Sequence, residues 1–182
     1  MGYDERIHEN KWRHYEHKLD IILAMMDPMV VSVMDIGAGP EMYIGARLPE
    51  YVDYIPVDYI KRSDATFIYD LNNYEFPDFK VETMIASGIL EYLEDLDWII
   101  NKFCENCWEA IVTYPLLDQF ESDPERIKHW GYVNQHQKEE IIEMFTSRGM
   151  ELCGEKFDDY TWSHVLLFRQ PVDLYTYREN VL

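Results

Sequence analysis

Residues Val30 to Gly39 read Val-Val-Ser-Val-Met-Asp-Ile-Gly-Ala-Gly, and no other stretch constrains the fold as tightly. The β-branched apolar run suits a strand buried on both faces. It ends in an acid, Asp35, and then in two glycines one residue apart. Glycine has no Cβ and accepts φ > 0, so Gly37 and Gly39 let the backbone pass close to a bound group at the strand tip. Asp35, at the turn, is placed to hydrogen-bond loop amides or a cationic group.

Hydrophobic spacing extends the architecture in both directions. Residues 3–26 are predicted helical, with Tyr15, Leu19, Ile22, Leu23 and Met26 on one stripe and Asp27-Pro28 as the stop. The first half of this helix carries His8, Trp12, His14, Tyr15 and His17, richer in aromatic and imidazole groups than cover for a sheet edge needs. Downstream, strands are predicted at 51–58, 66–69 and 81–87, with a short helix from about Pro40 to Leu48. Little room remains for helices between Asp58 and Thr66 or between Leu71 and Val81. That half of the sheet is therefore expected to be thinly covered, and either the N-terminal helix or a second copy of the chain in a homodimer would close it.

Further on, a helix from about Asp95 to Phe103 puts Leu96, Ile99, Ile100 and Phe103 on one face, and a strand follows at 108–114. Residues 115–133 form a long polar and aromatic connection, the kind that serves as a lid or binding segment. A helix is predicted from Asn134, read as its N-cap, to Gly149, read as its C′ residue. Two terminal strands at 150–157 and 162–168 flank the turn Asp158-Asp159, and the residues after Pro171 are read as a tail. At 182 residues the chain needs no second domain. The division is an N-terminal helix over 1–29 as a candidate lid, one domain over 30–170, and the tail over 171–182.

The pattern Asp-x-Gly-x-Gly at a strand end resembles the first motif of the class I S-adenosylmethionine-dependent methyltransferases, and the order of elements from Val30 to Phe168 is similar to that family throughout. The resemblance implies a Rossmann-like α/β fold: a seven-stranded, mostly parallel sheet whose last strand inserts antiparallel beside the fifth, with reduced helices in the first half. It also implies S-adenosylmethionine as cofactor, held by Asp35, Gly37, Ala38 and Gly39 of the loop. Asp58 lies 19 residues beyond Gly39 at the tip of the next strand, where an acid accepts both hydroxyls of a ribose. Tyr59 flanks the adenine in this reading. Asp70 accepts from the adenine amino group while the Leu71 amide reaches a ring nitrogen, although an Asp-Leu pair is also ordinary turn sequence. Ser87 and Gly88, at the end of the 81–87 strand, present backbone to the methionine part. Glu91 reads either as an acid favoured by the N-terminal end of a helix or as a group near the substrate.

A dinucleotide-binding dehydrogenase is the rival reading of the loop, but its fingerprint wants a third glycine and position 42 is Met. An acid at position 35 would also repel a pyrophosphate. The charge narrows the partners further, with 35 acidic against 16 basic residues and a formal net charge of −19. Nucleic-acid binders need a Lys/Arg footprint to displace counterions, so nucleic acid is excluded as a partner and anionic membrane surfaces are disfavoured. The start, Met-Gly-Tyr-Asp-Glu-Arg, is too polar for a signal peptide, and Arg6 stands where a myristoylation motif needs Ser or Thr. A cytoplasmic location is expected. Cys104-Glu-Asn-Cys107 has knuckle spacing but lacks a second ligand pair, with only Cys153 left over, so these thiols are read as structural and no metal is expected.

The implied reaction is attack by an oxygen or nitrogen of a small-molecule substrate on the sulfonium methyl. His129, Tyr114 and His136 are the candidate general bases, with His14 and His17 behind them. Trp12, Tyr15, His129 and Trp130 are the candidate substrate contacts. Two other readings stand beside this one: a cofactor-binding protein that has lost catalysis, and a methyltransferase acting on a protein side chain.

Overall fold

The computed structural model describes residues 6–115 and 131–181, with side chains described within 15–115 and 131–180. One sheet of seven strands organises it: β1 (Ser32–Ile36), β2 (Asp53–Asp58), β3 (Phe67–Ile68), β4 (Val81–Ala86), β5 (Cys107–Pro115), β6 (Glu151–Asp158) and β7 (Ser163–Arg169). Their order is β3-β2-β1-β4-β5-β7-β6. β1 pairs in parallel with β2 and β4, β2 with β3, and β4 with β5, while β7 is antiparallel to β5 and β6. The expected topology, with the last strand inserted antiparallel beside the fifth, is the one observed.

The central strands are apolar on both sides because both faces are covered. Helices α1 (Arg6–Met25) and α4 (Leu174–Val181) are on one face, where Leu19, Ile22, Leu174 and Tyr177 pack with Val33, Ile85, Ile111 and Val165. Helices α2 (Leu96–Asn106) and α3 (Lys138–Thr146) are on the other, where Ile100, Phe103, Ile141 and Phe145 meet Met34, Met84, Val112 and Phe168. Phe145 stacks on Phe168 with ring centroids 4.2 Å apart. Truncating either ring would cost about 3–5 kcal/mol, the usual range for a large aromatic removed from a tight core.

The first half of the sheet has no α-helix between β1 and β4, as the short connections imply. A 3-10 turn at Gly45–Arg47 replaces the longer helix expected from Pro40 to Leu48. Leu71–Asn73 and Leu90–Tyr92 are single 3-10 turns. Loop aromatics substitute for the missing helices, with Phe76 edge-on to Trp98 of α2 at 6.2 Å.

Two local expectations are corrected. Asn134 is not the N-cap of α3: the helix begins at Lys138, and the Gln137 amide donates to the Glu140 carboxylate at 2.7 Å to close its first turn. The segment after Pro171 is not a tail, because α4 is anchored to the sheet. The Tyr177 hydroxyl donates to the Val81 carbonyl at 3.1 Å, and Arg178 pairs with the fully buried Glu82 at 2.5 Å. At the same end of the sheet Arg169 satisfies buried Glu109 at 2.8 Å. Among the described residues, no helix is long and apolar enough to cross a membrane.

Candidate functional site

A cavity of about 500 Å³ opens at the carboxyl ends of β1, β2 and β4. This is the point where the strand order reverses direction, and open α/β sheets bind ligands there. Of the residues singled out as cofactor contacts, Gly37, Gly39, Asp58, Tyr59, Asp70, Leu71 and Gly88 line the cavity.

The glycine loop is built by hydrogen bonds from β2. The amides of Gly37 and Ala38 donate to the Val57 carbonyl at 2.8 and 3.0 Å. Both glycines are left-handed, with φ of 73° at Gly37 and 69° at Gly39. A Cβ at Gly37 would fall 2.9 Å from Ile89, whereas one at Gly39 would meet nothing within 4 Å. Gly37 is thus a close backbone approach, and Gly39 leaves its Cβ direction open beside the cavity.

Asp58 lines the cavity at the tip of β2. Its Oδ2 accepts from the Gly39 amide and from Arg62 Nε, each at 3.1 Å, and its Oδ1 accepts from the Ile60 amide at 3.2 Å. The carboxylate is nearly fully buried and held by three donors, an arrangement that fixes its orientation toward the cavity. Asp70 caps the next turn, accepting from the Asn72 amide at 3.1 Å and from Asn73 Nδ2 at 2.8 Å. Asn72 then ties the rim together, donating to the Tyr92 carbonyl at 3.1 Å and accepting from the Glu94 amide at 3.0 Å.

Asp35, Ala38 and Ser87 are not on the cavity wall. Asp35 is buried beneath the loop and accepts from the Tyr54 hydroxyl at 2.6 Å. Burial pushes its carboxyl up to about 7, against the opposing Tyr54 hydrogen bond and with a further rise from the nearby Asp58 charge.

Of the candidate bases, Tyr114 is buried with its hydroxyl 2.5 Å from Asn134 Oδ1, and it accepts from the His136 amide at 2.9 Å. Burial pushes its hydroxyl up to about 12. The His136 imidazole faces Glu140 at 3.6 Å. His17 lies 2.7 Å from Asp158. His129 and Trp130 fall outside the described residues, and Trp12 and His14 belong to α1 with only their backbone described. Tyr15 stacks on Tyr43 with centroids 6.1 Å apart.

Sequence reasoning missed Arg62, Tyr69, Asn72, Ile89, Tyr92 and Leu93 on the cavity wall. The last three follow directly from Gly88 in the run Gly-Ile-Leu-Glu-Tyr-Leu, so the register of that turn was a usable signal. Arg62 offered none. Asn134 was also misassigned: its Nδ2 donates to the Leu90 and Leu93 carbonyls, each at 2.7 Å, and so holds the turn that forms this wall.

No family model and no curated protein sequence matches the chain. Solved structures do. Magnesium protoporphyrin IX methyltransferase from Synechocystis PCC 6803, with bound SAH, is similar with a TM-score of 0.71 at 13% identity, covering 93% of this chain and 90% of that one. The putative methyltransferase in complex with the Haloferax volcanii Trm112 methyltransferase activator gives a TM-score of 0.70 at 13% identity, over 93% and 95% of the two chains. The N-methyltransferase NodS from Bradyrhizobium japonicum WM9 gives 0.63 at 14% identity, over 89% and 96%. The fold is therefore the Rossmann-like fold of the class I S-adenosylmethionine-dependent methyltransferases. At this identity the likeness speaks to the fold, and the activity is a matter for the site.

Proposed function

We propose that this chain is an enzyme transferring a methyl group from S-adenosylmethionine to an oxygen or nitrogen of a small molecule. The observation that carries the reading is the ordered wall of the cavity, in which Gly37 and Gly39, the clamped Asp58 carboxylate, Asp70 with Leu71, and Gly88 follow one another around a single space. The donor set fits the cofactor. An acid at a β2 tip suits ribose hydroxyls, Asp70 and Leu71 offer an acceptor and an amide to a purine edge, and the open side of Gly39 leaves room against backbone. S-adenosylmethionine, when bound, supplies a methyl already activated on a sulfonium sulfur. The protein's part is to bind, align and keep water out.

The acidic surface supports a substrate that is not a nucleic acid. The free Cys104, Cys107 and Cys153 suit a reducing compartment such as the cytoplasm. The exposed Tyr59, Phe67, Ile68 and Tyr74 around the β3 edge support a homodimer, which light scattering would test.

Calorimetry with S-adenosylhomocysteine is the deciding experiment for the cofactor. Binding with micromolar affinity, and none with nicotinamide dinucleotides, is the expected result; the reverse pattern would overturn the proposal. Release of S-adenosylhomocysteine on mixing the loaded protein with hydroxylated or amino metabolites separates an enzyme from an inert binder.

A further inference from the structure

Among the described residues, the buried glutamates of the sheet each have a cation. Glu82 has Arg178 and Glu109 has Arg169. Glu91 is different. It is 6% exposed, and its Oε2 is buried with no hydrogen-bond partner. It stands on the Leu90–Tyr92 turn, whose neighbours Ile89, Tyr92 and Leu93 line the cavity while Glu91 itself does not. Its carboxylate lies beside Gly88, which does line the cavity. A Cβ built on Gly88 would lie 3.9 Å from Glu91 Oε1 and 3.5 Å from Lys18 Nζ, the latter reaching in from α1.

Lys18 is 4% exposed, yet no salt bridge joins it to Glu91 among the described residues. Two desolvated groups of opposite charge thus border the same glycine without closing on each other. A buried Glu91 oxygen left without a donor is costly in an apolar interior, so the arrangement points to a further group that meets it beside Gly88. The Glu91 charge also raises the Tyr114 and Tyr132 hydroxyls, and Asp158 of β6 acts on Lys18. Lys18 lies over the Tyr15 ring at 5.0 Å.

Resting on the methyl-transfer reading, we infer that Glu91 is the group that takes the proton from the substrate's attacking hydroxyl or amine, with Lys18 as its positioning residue. With its nucleoside held at Asp58 and Asp70, the donor would have Gly37 and Gly88 of the same cavity wall to hold its other end, beside this pair. The new bond forms between the substrate oxygen or nitrogen and the methyl carbon. The carbon–sulfur bond breaks with its electron pair staying on sulfur, and the substrate proton passes to the Glu91 carboxylate. Burial pushes this carboxyl up to about 7 against the opposing pull of Lys18, close to the value at which a base works best near neutrality.

The test needs no substrate. Sinefungin carries an amine where the transferable methyl would be, S-adenosylhomocysteine has nothing there, and methylthioadenosine lacks the amino-acid end. Calorimetry with all three on the wild type and Glu91→Gln is expected to show sinefungin losing about tenfold or more in affinity while the other two stay within about twofold, because only sinefungin offers a cation to the carboxylate. In Lys18→Met the sinefungin advantage is expected to be lost near about pH 7 and regained near about pH 9, since removing the cation raises the pH at which Glu91 ionises. If Glu91→Gln binds no ligand at all, Glu91→Asp serves instead, with an expected severalfold fall in the sinefungin preference alone.

An unchanged ratio of sinefungin to S-adenosylhomocysteine affinity overturns the inference. So does a parallel fall of those two with methylthioadenosine unaffected, which would assign the pair to the amino-acid end of the cofactor. Failure of the wild type to bind either S-adenosylhomocysteine or methylthioadenosine would instead sink the methyl-transfer reading on which the inference rests.

Discussion

The Gly39 amide donates to Asp58 Oδ2 at 3.1 Å, and so joins the glycine loop after β1 to the acid at the tip of β2. One hydrogen bond between residues 19 apart in sequence sets these two parts of the cavity wall at a fixed spacing. Because Arg62 Nε shares the same oxygen, the carboxylate is oriented before any ligand arrives, which reduces the ordering needed on binding.

Substitution of this acid should therefore weaken the nucleoside site directly. Asp58→Ala is expected to lower S-adenosylhomocysteine affinity by more than about tenfold, the value of losing hydrogen bonds to a charged acceptor. Arg62→Ala should change it by less than about threefold, since the Gly39 and Ile60 amides still hold the carboxylate. Calorimetry at constant pH distinguishes the two, and equal losses would show that Arg62 rather than Asp58 makes the principal contact.

Asp35 gives the apoprotein a pH signature. Its folded carboxyl titrates at about 7 against an ordinary value of 3.8, so between those limits the native state holds a proton that the unfolded chain releases. Stability therefore falls as pH rises through that window and levels off above it. The contribution is on the order of 2–4 kcal/mol. Glu91, raised from 4.5 to about 7 mainly by burial, adds a fall of the same sign. Asp35→Asn should flatten part of the decline in denaturant midpoint between about pH 4 and pH 8; an unaltered slope would remove Asp35 as its source.

The two loop glycines should separate stability from binding. Alanine at either must adopt a positive φ, costing about 1–2 kcal/mol. Gly37→Ala adds a clash with Ile89 and should lower the melting temperature markedly. Gly39→Ala meets no atom in the fold, so its stability loss should be the smaller one while its methyl reduces S-adenosylhomocysteine affinity. Thermal melts paired with calorimetry would refute this if the order of the two melting temperatures were reversed.

Asn134 braces the cavity wall from outside it. Its amide donates to the Leu90 and Leu93 carbonyls, and its oxygen pairs with the Tyr114 hydroxyl. Asn134→Ala should cost about 2–3 kcal/mol through these unsatisfied groups, with faster amide exchange across residues 89–93. Exchange confined to α3 would show instead that Asn134 supports only that helix.

The sheet and much of the cavity lining were legible in the sequence because their signals are local. Period-two and continuous apolar runs mark strands, paired glycines mark a loop that needs positive φ, and acids at strand tips recur at a readable spacing. The boundaries of α3 and the order of α4 were not legible. Gln137 caps α3 because Asn134 is drawn off to the Leu90 and Leu93 carbonyls, and α4 docks because Arg178 meets Glu82, a contact between residues 96 apart in sequence.

By itself, then, the sequence determined the topology, the glycine loop and the acids at positions 58 and 70. Only the tertiary structure decided that Asp35 lies beneath the loop and that Lys18 and Glu91 share a desolvated space across Gly88. The reason is physical. Backbone conformation is fixed by a residue and its near neighbours, whereas the energy of a buried charge is fixed by every atom around it, and most of those atoms come from distant parts of the chain.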